Sequence, residues 1–203
     1  IQSFAVSPVD ANVLWAGTSS GLIWVTKDRG KAWALVTPPN LPPSGINTLD
    51  ASHKDPGTVY AALLSRDGRP HLYRTSDYGA RWQEISSGLD DGNTMRVVRE
   101  DPADPNLLYA GSVTSAYVSF DRGDHWQSLQ LDLPHTVVSD MTVKDNDLVI
   151  STYGRGFWIL DDVAPLRQMA AAKADAAPAH FFAPSPASRI RWDNTQATPL
   201  PPE

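Results

Sequence analysis

The stretch VSFDRGDHWQSL, residues 118–129, decides how this chain is read. It brings Asp121, Arg122, Asp124, His125 and Trp126 together, a density of reactive side chains that suits a catalytic loop. The pattern is not unique, however. TKDRGKAW (26–33), TSDYGARW (75–82) and SFDRGDHW (119–126) all read Ser/Thr, any residue, Asp, any, Gly, any, any, Trp. Their aspartates, Asp28, Asp77 and Asp121, lie 49 and then 44 residues apart. A degenerate copy near 160–167, LDDVAPLR, keeps Asp162 but has Ala164 for the glycine and no tryptophan. A catalytic constellation has no reason to recur at such intervals, whereas a structural unit does.

The repeat extends beyond this box. Two residues before each Ser/Thr lies an aromatic: Trp24, Tyr73, Tyr117 and, in the fourth copy, Trp158. Upstream come the apolar runs VLWAG (13–17), TVYAA (58–62), LLYAG (107–111) and LVIST (148–152). Before those come SFAV (3–6), NTLDA (47–51), RVVRE (96–100) and DMTV (140–143). The turns between these two runs are rich in Asp, Pro and Asn, as turn chemistry requires. Each unit reads strand A, turn, strand B, loop, strand C, box turn, strand D. Four short antiparallel strands per 40–50 residues is the signature of a propeller blade. The expected fold is therefore all-β: a β-propeller of four-stranded blades, about four present, forming part of a larger ring. Trp15, Tyr60 and Tyr109, with Ile150 in the fourth copy, share one register of strand B and are expected to pack blade on blade.

The box has a structural logic. Gly30, Gly79 and Gly123 permit the positive φ of a tight reversal. The aspartates accept local amides, and the Ser/Thr hydroxyls satisfy a neighbouring group. Trp33, Trp82 and Trp126 start strand D and are expected to fold back over the hairpin, the indole N–H finding an acceptor. His125 and Arg122 fall at variable positions of the motif, so the turn does not require them.

Composition bounds the rest. With 203 residues, 41% of them apolar, the chain can bury a core. A net charge of −6 gives no basic stripe, which argues against a nucleic-acid partner. No apolar run approaches the ~20 residues that span a bilayer. There is no cysteine, so disulfides and thiolate metal sites are excluded. His53, His71, His125, His135 and His180 show no metal-ligand spacing, and neither a metal nor a cofactor is expected. The chain begins at Ile1 without a signal-like segment and reads as a fragment or processed form.

These boxes resemble the Asp-box, or bacterial neuraminidase repeat, of sialidases, propeller xyloglucan hydrolases, sortilin-type receptors and a photosystem assembly factor. STYGRGFWILDDVAPLRQM (151–169) and HFFAPSPASRIRW (180–192) are similar to the end of the sortilin-like propeller region of large bacterial proteins, often labelled glycosyl hydrolase. The resemblance covers nearly the whole chain. It implies a secreted or periplasmic protein with further blades or domains in the same polypeptide. Sialidases carry an arginine cluster, a tyrosine with an acidic partner and an early Arg-Ile-Pro motif. SRIRW lacks the proline and lies near the end, so no catalytic residue carries over.

In a propeller the A–B and C–D turns share one face, and the B–C and D–A connections share the other, where ligands usually bind. Interest therefore moves to GTSSG (17–21), LLSRDGRPH (63–71), GSVTSA (111–116) and TYGRGF (152–157), and to TPPNLPPSG (37–45), SSGLDDGN (86–93) and QLDLPHT (130–136). Arg155, between two glycines and beside Tyr153, suits a carboxylate or sugar hydroxyls, or a structural pairing with a neighbouring blade's aspartate. Gln2, Asn47, Arg96 and Ser139 align at the start of strand A, lining the channel, with Asp140 adjacent. Asp90 and Asp91 are neighbours, but a glycosidase needs two acids across a substrate, roughly 5–10 Å apart. The expected ligand residues are Arg155, Tyr153, Arg96 and Asp140. The expected function is a propeller module binding a glycan or peptide through the B–C/D–A loop face. The alternatives are part of a glycoside hydrolase and a protein-assembly scaffold.

After the blades, assigned to 1–162, residues 163–203 change character. VAPLRQMAAAKADAA suits a short helix, with Asp161 or Asp162 near its start and Pro165 in its first turn. HFF (180–182) and SRIRW (188–192) suit strands returning to the propeller, and ATPLPPE (197–203) suits a linker.

Overall fold

The computed structural model describes residues 1–172 and 181–186. SRIRW and ATPLPPE lie outside the described residues, as does His180 of HFF. Phe181 and Phe182 are described and belong to no strand.

Four antiparallel sheets follow one another along the chain, each built in strand order. Sheet 1 holds β1 (Ser3–Val6), β2 (Leu14–Gly17), β3 (Ile23–Thr26) and β4 (Ala34–Leu35). Sheet 2 holds β5 (Ser44–Ala51), β6 (Val59–Ser65), β7 (Leu72–Thr75) and β8 (Gln83–Glu84). Sheet 3 holds β9 (Met95–Glu100), β10 (Leu108–Ser112), β11 (Ala116–Ser119) and β12 (Gln127–Ser128). Sheet 4 holds β13 (Val138–Lys144), β14 (Asp147–Thr152) and β15 (Phe157–Leu160). The first strand of each sheet packs against the first strand of the next, the arrangement of blades around a channel. The chain is an all-β partial propeller.

Three apolar seams hold the blades together. Trp15, Ile23 and Val25 meet Ile46, Leu49, Val59 and Leu63 between sheets 1 and 2. Tyr60, Leu72 and Ile85 meet Met95, Val98, Leu108 and Trp126 between sheets 2 and 3. Tyr109, Val118 and Leu129 meet Val138, Met141, Leu148 and Ile150 between sheets 3 and 4. The expected register fails at one point. Ile150 pairs with Met141 and Trp158, which is the register of Ala16, Ala61 and Ala110, not of Tyr109. Val149 takes the place expected of Ile150. A one-residue slip turns a strand residue to the other face, and LVIST has no aromatic to mark the register.

The three boxes fold alike. The hydroxyls of Thr26, Thr75 and Ser119 donate to Asp28, Asp77 and Asp121 at 2.7, 2.8 and 2.8 Å. The same hydroxyls accept the amides of Gly30, Gly79 and Gly123. Each aspartate also accepts an amide four residues on, from Ala32, Arg81 or His125. The glycine and the residue before it both take positive φ, 64° and 92° at Arg122 and Gly123. His125 adds a bond from Nδ1 to Asp121 at 2.7 Å, peculiar to this copy.

Trp33 lies over its own turn, its indole 3.6 Å from a Cβ built on Gly30. Trp82 and Trp126 find their acceptors outside their own hairpins. Their indole N–H groups donate to the carbonyls of Val36 and Ile85, in the preceding blades, at 2.6 and 2.7 Å. A Cβ built on Gly79 would sit 2.5 Å from Val36, and one on Gly123 would sit 2.6 Å from Ile85. The box is thus both a turn and a blade-to-blade clasp. Trp33, with no blade before it among the described residues, is 38% exposed.

Hydrogen bonds to the ionised forms hold Asp28 and Asp77 below the usual carboxylate range. The amides of Ala32 and Arg81 contribute most, followed by the hydroxyls of Thr26 and Thr75. The stabilisation is complete above about pH 4 and is lost as pH falls through the depressed folded values. Asp77→Asn should therefore lower Tm at neutral pH and flatten its decline in acid, measured by thermal melts between about pH 6 and pH 2.

The degenerate fourth copy makes no box. Without the glycine and tryptophan, no fourth strand follows β15 among the described residues. Instead Asp162, at φ 56°, caps helix α1 (Ala164–Ala172) by accepting the Ala164 amide at 3.1 Å. Val163 and Ala170 bury themselves in the seam between sheets 3 and 4. Arg167 fixes the helix to the propeller, its Nε lying 2.9 and 3.0 Å from the two oxygens of the buried Asp101.

Candidate functional site

A cleft of about 460 Å³ opens on the face of the B–C and D–A connections, between blades 1 and 2. It is lined by Gln2, Ser19 and Ser20 from blade 1, and by Pro43, Ser44, Gly45, Leu64, Ser65 and Arg66 from the approach to β5 and the end of β6. Three stretches singled out in the sequence, GTSSG, TPPNLPPSG and LLSRDGRPH, converge here. The individual serines carry no motif, and only the fold gathers them.

Local chemistry shapes each wall. In the first loop the Thr18 hydroxyl accepts the Leu22 amide at 2.9 Å, and Gly21 turns the chain at φ 84°. The Thr18 carbonyl accepts the Ile46 amide at 2.9 Å, tying the two blades together under the cleft. A Cβ on Gly45 would come within 2.8 Å of the Gln2 side-chain oxygen, so glycine permits the close approach. The Pro43 carbonyl accepts the Arg66 amide at 3.3 Å, joining the second and third loops.

Behind Ser65 stands a charged clasp. Asp67 accepts the Ser65 hydroxyl and the Arg69 amide, and faces His71 Nε2 at 2.9 Å. The bond from Ser65, then those from Arg69 and His71, hold the Asp67 carboxyl far below its ordinary value. The other imidazole nitrogen lies 3.0 Å from Glu84, and the ring stacks on Tyr73. The clasp shapes the loop that presents Ser65 and Arg66. The cleft itself is lined by four serines, Gln2 and the exposed Arg66, and among the described residues no Asp or Glu lines it.

The residues expected to bind ligand are scattered. Gln2, Asn47 and Arg96 do form a channel row. The Gln2 amide donates to Asn47 at 3.4 Å, and the Asn47 amide donates to the Arg96 carbonyl. Among the described residues, the buried Nε of Arg96 has no partner. Asp140 joins Arg99 rather than Arg96. Arg99 bridges three blades, 2.7 Å from Asp140, 3.1 Å from Asp50 and 2.9 Å from the Met141 carbonyl. This group lines a second cleft of about 290 Å³ with His53 and Glu100. Burial pushes the Asp50 and Glu100 carboxyls up. Arg99 was not singled out from sequence, because its partners come from strands more than 40 residues away in either direction.

Arg155 and Tyr153 stand on blade 4, away from the first cleft. Gly154 and Gly156, at φ 85° and 73°, turn the loop, and the Thr152 amide and hydroxyl close it on the Gly156 carbonyl. Both side chains are exposed, and the Arg155 guanidinium makes no ion pair among the described residues. Asp90 accepts the Tyr117 hydroxyl at 2.9 Å and so secures a loop, while Asp91 is exposed. No group of three or more His, Asp or Glu side chains among the described residues could hold a metal ion. No helix among them is long and apolar enough to cross a membrane.

No protein-family model matches the chain. A probable oligoxyloglucan-reducing end-specific xyloglucanase of Neosartorya fischeri is 33% identical over 91 residues, 41% of this chain and 10% of that protein. The GH74 xyloglucanase of Xanthomonas campestris superposes with a TM-score of 0.60 at 19% identity, covering 79% of this chain and 28% of that one. YCF48 bound to a D1 peptide superposes with the same score at 15% identity, covering 79% and 51%. The chain thus spans about a tenth of the curated relative and resembles glycosyl hydrolase-like β-propellers.

Proposed function

We propose that this chain is the ligand-holding part of a glycoside-hydrolase-like propeller and grips a polysaccharide through the cleft between blades 1 and 2. One observation carries the reading. The cleft is lined by Ser19, Ser20, Ser44, Ser65, Gln2 and Arg66, with Pro43, Gly45 and Leu64, and no Asp or Glu is among its lining in the described residues. Such a surface exchanges hydrogen bonds with a polyhydroxylated chain and lacks the acid pair that hydrolysis requires. Binding belongs to this part, and the acids to other parts of a larger protein. The xyloglucanase relative supports a xyloglucan as ligand. We also read the three boxes as Asp-boxes of a sortilin-like, exported protein.

The test is calorimetric titration with xyloglucan oligosaccharides. Ser44→Trp, which fills the cleft, should weaken binding by at least ~tenfold, about 1.4 kcal/mol. Undiminished binding would move the site elsewhere. A peptide ligand is the second reading. It rests on Arg155, an exposed guanidinium beside exposed Tyr153 and Phe157, suited to a carboxylate flanked by apolar side chains.

A further inference from the structure

The first strands of blades 2, 3 and 4 share an irregularity. In blade 2 the pairing runs from Ile46 with Leu63 to Thr48 with Ala62 and skips Asn47. In blade 3 it runs from Met95 with Ser112 to Val97 with Gly111 and skips Arg96. In blade 4 it runs from Val138 with Thr152 to Asp140 with Ser151 and skips Ser139. Each is a β-bulge, one extra residue in the strand nearest the channel. Packing explains the device. On a regular strand, residues three apart face opposite sides of the sheet. Yet Ile46 and Leu49 both enter the seam with blade 1, Met95 and Val98 the seam with blade 2, and Val138 and Met141 the seam with blade 3. The extra residue lets both apolar side chains reach the preceding blade and is itself left to the channel. In all three blades that residue is polar and half-buried.

Gln2 stands in the same place ahead of β1, and bonds cross from blade to blade. The Gln2 amide donates to Asn47 at 3.4 Å, and the Asn47 amide and Thr48 hydroxyl both donate to the Arg96 carbonyl. These bonds fix the collar and leave the Arg96 guanidinium unused. Among the described residues it pairs with no carboxylate, and its buried Nε has no hydrogen-bond partner. Arg99, three residues on, is the contrast, since Asp50 and Asp140 neutralise it. A half-buried cation with unused donors carries a desolvation cost that an oxyanion offsets.

We propose that this collar holds the carboxylate of an acidic sugar, gripped by Arg96. The planar guanidinium fork meets a carboxylate through two parallel bonds. Gln2 makes the carrier a sugar, because it belongs both to the collar and to the cleft between blades 1 and 2. A glycan lying in that cleft is led toward the channel mouth. Charge agrees. The chain carries −6 overall, yet the cleft is lined by Arg66 and, among the described residues, by no Asp or Glu. The inference rests on the glycan reading above and adds the charge of the sugar.

Oligogalacturonates and their methyl esters, titrated calorimetrically, present the same sugar with and without its charge. The acid form should bind about tenfold tighter or more. Arg96→Gln should abolish that preference and leave the affinity for the ester as it was. Arg96→Lys keeps the charge without the fork and should restore only part of it. The Arg96→Gln chain should melt at or above the temperature of the parent, because no bond within the fold is lost. A lower Tm with the preference intact would mark Arg96 as a structural arginine. Acid and ester binding alike, both weakened by Ser44→Trp, would overturn the collar and keep the cleft. A preference that survives Arg96→Gln would overturn the collar too. A preference lost with Arg96→Gln, in a chain that ignores xyloglucan oligosaccharides, would keep the collar and overturn the xyloglucan reading. Binding of neither form would overturn the collar.

Discussion

Trp126→Ala should lower the unfolding free energy by about 3–5 kcal/mol, whereas Trp33→Ala should cost less than ~1 kcal/mol. The two tryptophans hold the same place in the same motif, so local sequence does not separate them. Their surroundings do. Trp126 is 5% exposed, lies in the seam between sheets 2 and 3 and donates to Ile85 at 2.7 Å. Its removal opens a cavity between two sheets and leaves the Ile85 carbonyl without its partner. Trp33 is 38% exposed and lies outside every seam. Paired chemical denaturation curves measure the difference. Equal losses would show that the box acts within its own turn and not as a clasp on the preceding blade.

Arg167→Ala carries the second large effect. Asp101 is fully buried, and its carboxylate also accepts the Tyr109 hydroxyl at 3.3 Å. Burial of Tyr109 pushes its own hydroxyl far above the usual range, so the phenol stays a neutral donor. Removing Arg167 strips the buried carboxylate of its cation and cuts further bonds to Asn146 and the Asp145 carbonyl. The expected cost is about 3–5 kcal/mol, a fall in Tm on the order of 10 °C for a domain of this size. Because the same side chain holds α1 against blades 3 and 4, exchange of the α1 amides should accelerate as well. A variant melting like the parent would show that the helix contributes nothing to the propeller.

What could be read from sequence was whatever a single blade determines. Asp121 and Gly123 announce their turn because the bonds that require them lie within a few residues. Comparison with Asp28 and Asp77 exposes the repeat. The clasp made by the tryptophan was not legible, since its acceptor lies 41 residues back in another blade. Arg99 and Arg167 were missed for the same reason, their aspartates being brought near only by stacking of the sheets. Ile150 was misplaced because one residue of slip along an aliphatic strand leaves the composition unchanged while reversing its face. The cleft was legible as a choice of face and of loops. Its serines were not, because a serine in a loop is ordinary until three loops from two blades bring several together.

The box motif that opens the reading is architecture, and the proposed ligand chemistry belongs to the opposite face. Amide resonances of the 15N-labelled chain, followed during titration with xyloglucan oligosaccharides, test that division most directly. Saturable shifts at Ser19, Ser20, Ser44, Gly45, Ser65 and Arg66, with Gly30, Gly79, Gly123 and the indoles of Trp82 and Trp126 unmoved, are the expected result. Shifts concentrated at the box glycines and indoles, or no saturable shift at the cleft, would contradict it.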